Sequence, residues 1–276
     1  VIHSIAGWLL KHRHRRGATR LLGLVLTVLP TTRSHYGPRM RVRRRDFTNW
    51  ASIWGLYGAT LRDVIEVLPR DSMFLDIGAN TGIYSLVAAR HLNDGYVFCF
   101  EPNPIIYGDL VANIRLNAST NLFPFNAAVG THSEISTLVF DAHHSGGGFL
   151  AGKDGSSRGV PVLVIHLGDM TVIDKVASER ILLCKIDVEG AEADVLASLD
   201  QSGLLKKVDA VYIEISRQNL ARFGTNVEAI YSVLLAHGYR PLIGCESMVD
   251  GDELFCRRSS PLWPVLASVV GAVTEP

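Results

Sequence analysis

An aspartate and two glycines stand close together in Asp76-Ile77-Gly78-Ala79-Asn80-Thr81-Gly82, directly after an apolar run and before a segment of helical period. A turn between a strand and a helix brings a ligand against the carboxyl end of the strand, and the glycines let backbone approach it closely. The D-x-G-x-x-x-G spacing differs from the G-x-G-x-x-G turn that cradles a pyrophosphate. A carboxylate ahead of the first glycine repels phosphate and favours a ligand carrying an ammonium or sulfonium group, such as S-adenosylmethionine. Twenty-five residues after Asp76 a second apolar run ends in Glu101-Pro102-Asn103. A carboxylate there can accept hydrogen bonds from both hydroxyls of a ribose.

A second group of acids supplies reaction chemistry. Lys185-Ile186-Asp187-Val188-Glu189-Gly190 closes another apolar run, and Glu214 ends the next one, in VYIEIS. Alternation along a strand sends Lys185 and Asp187 to one face, with Glu189 following at the turn. Such carboxylates can take a proton from an acceptor hydroxyl, or together hold a divalent ion, Mg2+ or another, that lowers the hydroxyl's pKa. The competing reading is that Asp187 and Glu189 answer the N-terminus of the following helix while Lys185 neutralises them. His143 and His144 precede Gly146-Gly147-Gly148 in a polar stretch long enough to cover an acceptor. His166 reads as a hydrogen-bonded core residue, and Trp50, Trp54 and Tyr57, spaced as one helical face, read as core packing.

These residues need a scaffold of alternating strands and helices. Strands are predicted at 73–77, 96–100, 122–125, 181–186 and 210–215, and helices at 82–92, 104–117, 191–199 and 226–237. The last helix has apolar residues at Val227, Ile230, Tyr231, Leu234 and Leu235, a capping-box pattern at Thr225 and Glu228, and Gly238 where it stops. Segments 135–141 and 160–167 read as added strands separated by a loop over 143–159, and 239–244 with 253–257 as an antiparallel hairpin around the turn-like VDGD. The sheet is therefore parallel with an antiparallel edge.

The chain of 276 residues is 47% hydrophobic, enough for a substantial core and too much for disorder as the main state. Its zero net charge conceals two unlike parts: residues 1–45 carry eleven Lys or Arg and no acid, leaving −11 on the remainder. Apolar patches at 5–10 and 21–29 flank the basic KHRHRRGATR, a cationic and greasy combination suited to a membrane surface. The nine-residue run is too short to span a bilayer, and no small-x-small site follows it as in a cleaved secretory signal. Aromatic residues are not interleaved with the arginines, which argues against nucleic acid. Cys99, Cys184, Cys245 and Cys256 lack metal-site spacing, and reduced thiols fit a cytoplasmic protein with membrane association through residues 1–45.

The segments FLDIGANTGIYSL, VFCFEPNP, FNAAVG, KIDVEGAE and VYIEIS together resemble the FkbM-type family of S-adenosylmethionine-dependent methyltransferases, over about residues 55–245. The resemblance implies an α/β class I methyltransferase, with a Rossmann-like, mostly parallel sheet of order 3-2-1-4-5-7-6 and helices on both faces. It implies O-methylation, of a saccharide, glycolipid or polyketide-like acceptor. It assigns Asp76, Gly78, Asn80 and Gly82 to the methionine side of the donor, Glu101 to the ribose, and Asn126 and Ala127 to the adenine edge. Many relatives place an acid after an aromatic ahead of the first motif, where this chain has Tyr57 and Gly58. The expected organisation is a basic extension over 1–54, the methyltransferase domain over 55–260 and a tail over 261–276. The alternatives are an NAD-dependent oxidoreductase, disfavoured by the loop spacing, and a catalytically silent membrane-docking module.

Overall fold

The computed structural model of the chain describes residues 30–43, 46–141, 144–150, 159–244 and 250–272. A hairpin of β1 (Thr31–Arg33) and β2 (Arg39–Arg41) leads to helices α1 (Phe47–Ile53) and α2 (Ala59–Glu66). Then β3 (Met73–Ile77), α3 (Ile83–His91), β4 (Tyr96–Phe100), α4 (Pro104–Asn117) and β5 (Leu122–Phe125) alternate. A second sheet follows, of β6 (Ala128–Val129), β7 (Glu134–Asp141), β8 (His144–Leu150) and β9 (Val160–Ile165). After α5 (Thr171–Ala177), the alternation resumes with β10 (Leu182–Ile186), α6 (Glu192–Gln201), β11 (Ala210–Ile215), α7 (Arg217–Arg222) and α8 (Val227–Ala236). The described chain ends with β12 (Tyr239–Pro241), β13 (Gly251–Arg257) and α9 (Trp263–Val269).

The main sheet has the order β12-β13-β11-β10-β3-β4-β5, with β13 antiparallel to both neighbours and the other pairs parallel. Numbered along the sheet's own strands, this is 3-2-1-4-5-7-6, as expected. Both central strands are buried at every position, so they read as continuous apolar runs. Each carries a single charged side chain, Asp76 and Lys185, and the register sets these two opposite one another. Leu75, Ile77, Cys184, Ile186 and Ile213 pack on one face with α6 and α8 residues such as Val195 and Ile230. Phe74, Cys99, Leu183 and Leu254 pack on the other with Leu61, Leu86 and Leu266 of α2, α3 and α9.

The segment before the first sheet strand is part of this packing. Asn113 and Asn117 of α4 accept hydrogen bonds from the backbone N–H groups of Arg41 and Arg39, both at 2.8 Å, pinning the hairpin to the helix. Helix α1 stops at Ile53, so Trp50, Trp54 and Tyr57 do not share one helical face; Tyr57 lies in the following turn. The predicted loop over 143–159 is a strand in its first part, because β8 pairs with β7 through Leu138 and Leu150 and through Val139 and Phe149. Glycines there signal a loop only until a neighbouring strand satisfies their backbone. Helix α8 is capped by the Asn226 side chain, which accepts from Ala229 N at 2.9 Å, and not by Thr225. His166 caps a short 3-10 turn, accepting from Gly168 N at 3.1 Å. Cys99, Cys184 and Cys256 are buried free thiols, while Cys245 lies outside the described residues. Among the described residues no helix is long and apolar enough to cross a membrane.

Candidate active site

At the carboxyl end of β3 the chain turns through left-handed backbone at Gly78, Asn80 and Gly82. A Cβ on Gly78 would stand 1.7 Å from the Asp187 carbonyl oxygen, so only glycine allows the turns after β3 and β10 to touch. Asn80, an asparagine in left-handed backbone, donates its N–H to Glu101 Oε2 at 2.9 Å and accepts from Thr81 N at 2.7 Å through its side chain. Asn103 N donates to the other Glu101 oxygen at 2.8 Å. Burial of Glu101 pushes its pKa up to about 7 against the pull of these N–H groups. Asn126 donates to the carbonyls of Glu101 and Pro102 at 2.8 and 3.1 Å, fixing the chain after β4. Ala127 lines a small apolar hollow with Ile77, Phe100, Pro102 and Val188.

Asp76 departs from expectation. Its carboxylate is fully buried, accepts from the Ser85 hydroxyl at 2.5 Å and lies 3.2 Å from Lys185 Nζ. It is absent from the cleft wall, and the charge expected to face a ligand cation is answered by Lys185 instead. Gly82 also stands behind the wall, packed so closely on Leu110 of α4 that a Cβ would meet its Cδ1 at 2.3 Å.

The turn after β3 opens into a cleft of about 360 Å³. Gly78, Asn80, Glu101 and Asn103 line one end; Lys185, Asp187, Glu189, Tyr212, Glu214 and Asp252 line the other. Asp187 Oδ2 lies 3.2 Å from Lys185 Nζ. Burial opposes the charge of Lys185, but Asp187 and Asp76 outweigh it and hold its pKa above the ordinary lysine value. Glu189 adopts a left-handed backbone, φ 57°, and accepts from Asn219 Nδ2 at 2.8 Å. Its pKa is raised to about 7 by burial, then by Asp187, while that of Glu214 is pushed up to about 9 by Asp187 and by burial. The buried Glu192 shapes the turn, accepting from Val188 N at 3.2 Å and Gly190 N at 3.1 Å.

The structure thus brings Asp187, Glu189 and Glu214 together, as their spacing predicts, with one carboxylate oxygen of each within 4.8 Å of the others. It adds Asp252, which accepts from the Tyr212 hydroxyl at 2.8 Å. Asp252 reads as a turn residue in VDGD, yet it belongs to β13, directly opposite Glu214. Tyr212 had a signal in its alternation with Glu214 along β11. Thr48, Ser52, Tyr57 and Gly58, from α1 and the turn after it, also line the cleft and had no signal beyond the aromatic spacing. His143 lies outside the described residues, and His144 is described only as the first residue of β8.

A family model described as the methyltransferase FkbM domain matches residues 76–241. The AMB antimetabolite synthetase AmbE of Pseudomonas aeruginosa is 26% identical over 223 residues, covering 68% of this chain and 10% of that protein. Methyltransferase 1 of Beauveria bassiana is 26% identical over 168 residues, covering 55% of this chain and 67% of the relative. The chain thus spans a tenth of the length of the first relative. An O-methyltransferase from Bacillus cereus, solved in complex with S-adenosylhomocysteine, aligns at 13% identity and a TM-score of 0.41, over 73% of this chain and 82% of that one. The turn after β3, the acid after β4 and the KIDVEGAE turn all fall inside the matched segment, and the chain belongs to the FkbM family of S-adenosylmethionine-dependent methyltransferases.

Proposed function

We propose that this methyltransferase is an O-methyltransferase acting on a hydroxyl of a saccharide, glycolipid or polyketide-like small molecule, with Asp187 activating that hydroxyl. The position of Asp187 carries the reading: it lines the cleft, and its own backbone touches the donor turn at Gly78. The donor supplies an electrophilic methyl carbon on a sulfonium. The turn of Gly78 to Thr81 holds its methionine end, Glu101 accepts from its ribose hydroxyls, and the hollow at Ala127 receives the adenine edge. The acceptor oxygen attacks the methyl carbon, the carbon–sulfur bond breaks with its electron pair left on sulfur, and Asp187 takes the hydroxyl proton. Glu189 and Glu214 support Asp187. Positioning in line supplies much of the rate.

A second reading has Asp187, Glu189 and Glu214 holding a divalent cation, supported by the 4.8 Å spacing of their oxygens. Such an ion would lower the pKa of the hydroxyl. Lys185 and Asn219 already engage two of these carboxylates, which favours the general-base reading.

The acceptor is to be found by screening transfer of labelled methyl to lipid and glycan extracts. With it in hand, Asp187→Asn is expected to keep donor binding while turnover falls by about 100-fold or more. Turnover at the wild-type rate would overturn the assignment. Chelation should abolish activity, and added magnesium or manganese restore it, only under the second reading.

A further inference from the structure

We infer that Lys185 is a positioning residue that ties the donor turn to the acceptor carboxylate, holding Gly78 and Asp187 through one ammonium. Lysine is a poor choice for the middle of a sheet: Lys185 is 4% exposed, on a strand whose other residues are apolar. Removing an ammonium from water is costly unless its donors are matched. Here three oxygens surround Nζ: the Gly78 carbonyl accepts its hydrogen bond at 2.7 Å, and Asp76 Oδ1 and Asp187 Oδ2 pair with its charge, each at 3.2 Å. Each belongs to a different piece of the site, namely the donor turn, the core of β3 and the turn after β10.

The backbone around this ammonium reinforces the link. Asp187 N donates to the Ile77 carbonyl at 3.0 Å, and the Asp187 carbonyl fills the space where a Gly78 side chain would be. Movement of the donor turn therefore moves both the backbone of Asp187 and the cation that holds its side chain. Among the described residues lining the cleft, Lys185 is the one lysine or arginine, facing Asp187, Glu189, Glu214, Asp252 and Glu101. A neutral side chain in its place would free the Gly78 carbonyl and leave Asp187 without its cation. The position of the turn that meets the donor therefore sets the position of Asp187 through Lys185. This inference rests on the reading of Asp187 as the residue that acts on the acceptor.

The test needs only S-adenosylhomocysteine as probe. Calorimetry on the full chain should show affinity falling at least about 10-fold in Lys185→Met, with partial recovery in Lys185→Arg, as expected for loss of a charge-assisted hydrogen bond. Because Lys185→Met strands the buried Asp76 carboxylate and could unfold the protein, Lys185→Met combined with Asp76→Asn removes both charges and is compared with Asp76→Asn alone. In protein carrying nitrogen-15 lysine, the slowly exchanging Nζ signal lost in Lys185→Met should shift on adding the probe and shift again in Asp187→Asn. A purely structural lysine would leave that signal in place. A folded double variant that binds the probe as tightly as Asp76→Asn alone, or an Nζ signal indifferent to both perturbations, would overturn the inference. Failure of the Asp187 reading looks different: Asp187→Asn would then turn over normally while the Lys185 results stand.

Discussion

Glu101 shows how one side chain can carry a site's dependence on pH. Its oxygens already accept from Asn80 N and Asn103 N, and burial sets its pKa at about 7. If Glu101 holds the donor's ribose as proposed, the hydroxyls donate to its ionised form, and affinity for S-adenosylhomocysteine should weaken as pH falls from 8 to 6, approaching about tenfold per unit on the acid side. Calorimetry across that range checks it, and Glu101→Gln should flatten the dependence at a lower affinity. The same shift acts on folding with a definite sign. Glu101 and Glu189 in the folded chain titrate near 7, and Glu214 near 9, against an ordinary 4.5. The folded state thus keeps protons that the unfolded chain has lost, and stability falls as pH rises from about 4.5 through these values. The melting temperature should be higher at pH 6 than at pH 8.5, and Glu214→Gln should narrow the gap. Asp187, Glu189 and Glu214 were legible in the sequence because strand alternation and an adjacent strand end suffice to gather them. The pairing of Asp76 with Lys185 was not, because sheet register decides which charges meet.

The turn after β4 depends on how the helix that follows it is capped. Asn103 caps α4 by accepting from Ile105 N at 3.0 Å and Ile106 N at 3.4 Å, and its own N–H holds Glu101. Asn103→Ala removes the cap but keeps that N–H. It should cost about 1 kcal/mol of stability in chemical denaturation, with a smaller loss of donor affinity than Glu101→Gln. The alternating elements of the main sheet were readable almost to the residue at α4 because Asn103, Pro104 and the final Asn117 mark its ends. β8 was not readable, since its glycines carry no strand preference and only pairing with β7 extends them. Asp252 was misread for the same reason: an antiparallel partner drew the strand past the apparent turn.

Across the whole molecule the charges are divided, with +11 in residues 1–45 and −11 in the rest. On the hairpin, exposed Arg33 and Arg39 stand directly opposite each other, an unfavourable pairing of like charges. Such a pairing suits an anionic surface, and we expect the full chain to float with vesicles of anionic lipid, each basic residue near the surface contributing about 1 kcal/mol. Flotation should fade with added salt and weaken on deleting residues 1–29, which leaves the packed hairpin in place; equal flotation of the deleted chain would count against docking. The composite origin of the cleft has another consequence. The family match spans 76–241, yet Thr48, Ser52, Tyr57, Gly58 and Asp252 on the cleft wall all lie outside it. Membership of the family therefore leaves this part of the wall free to diverge. Two members of the family can share every donor-binding motif and still select different molecules to methylate, so kinship in the matched segment does not by itself transmit a substrate.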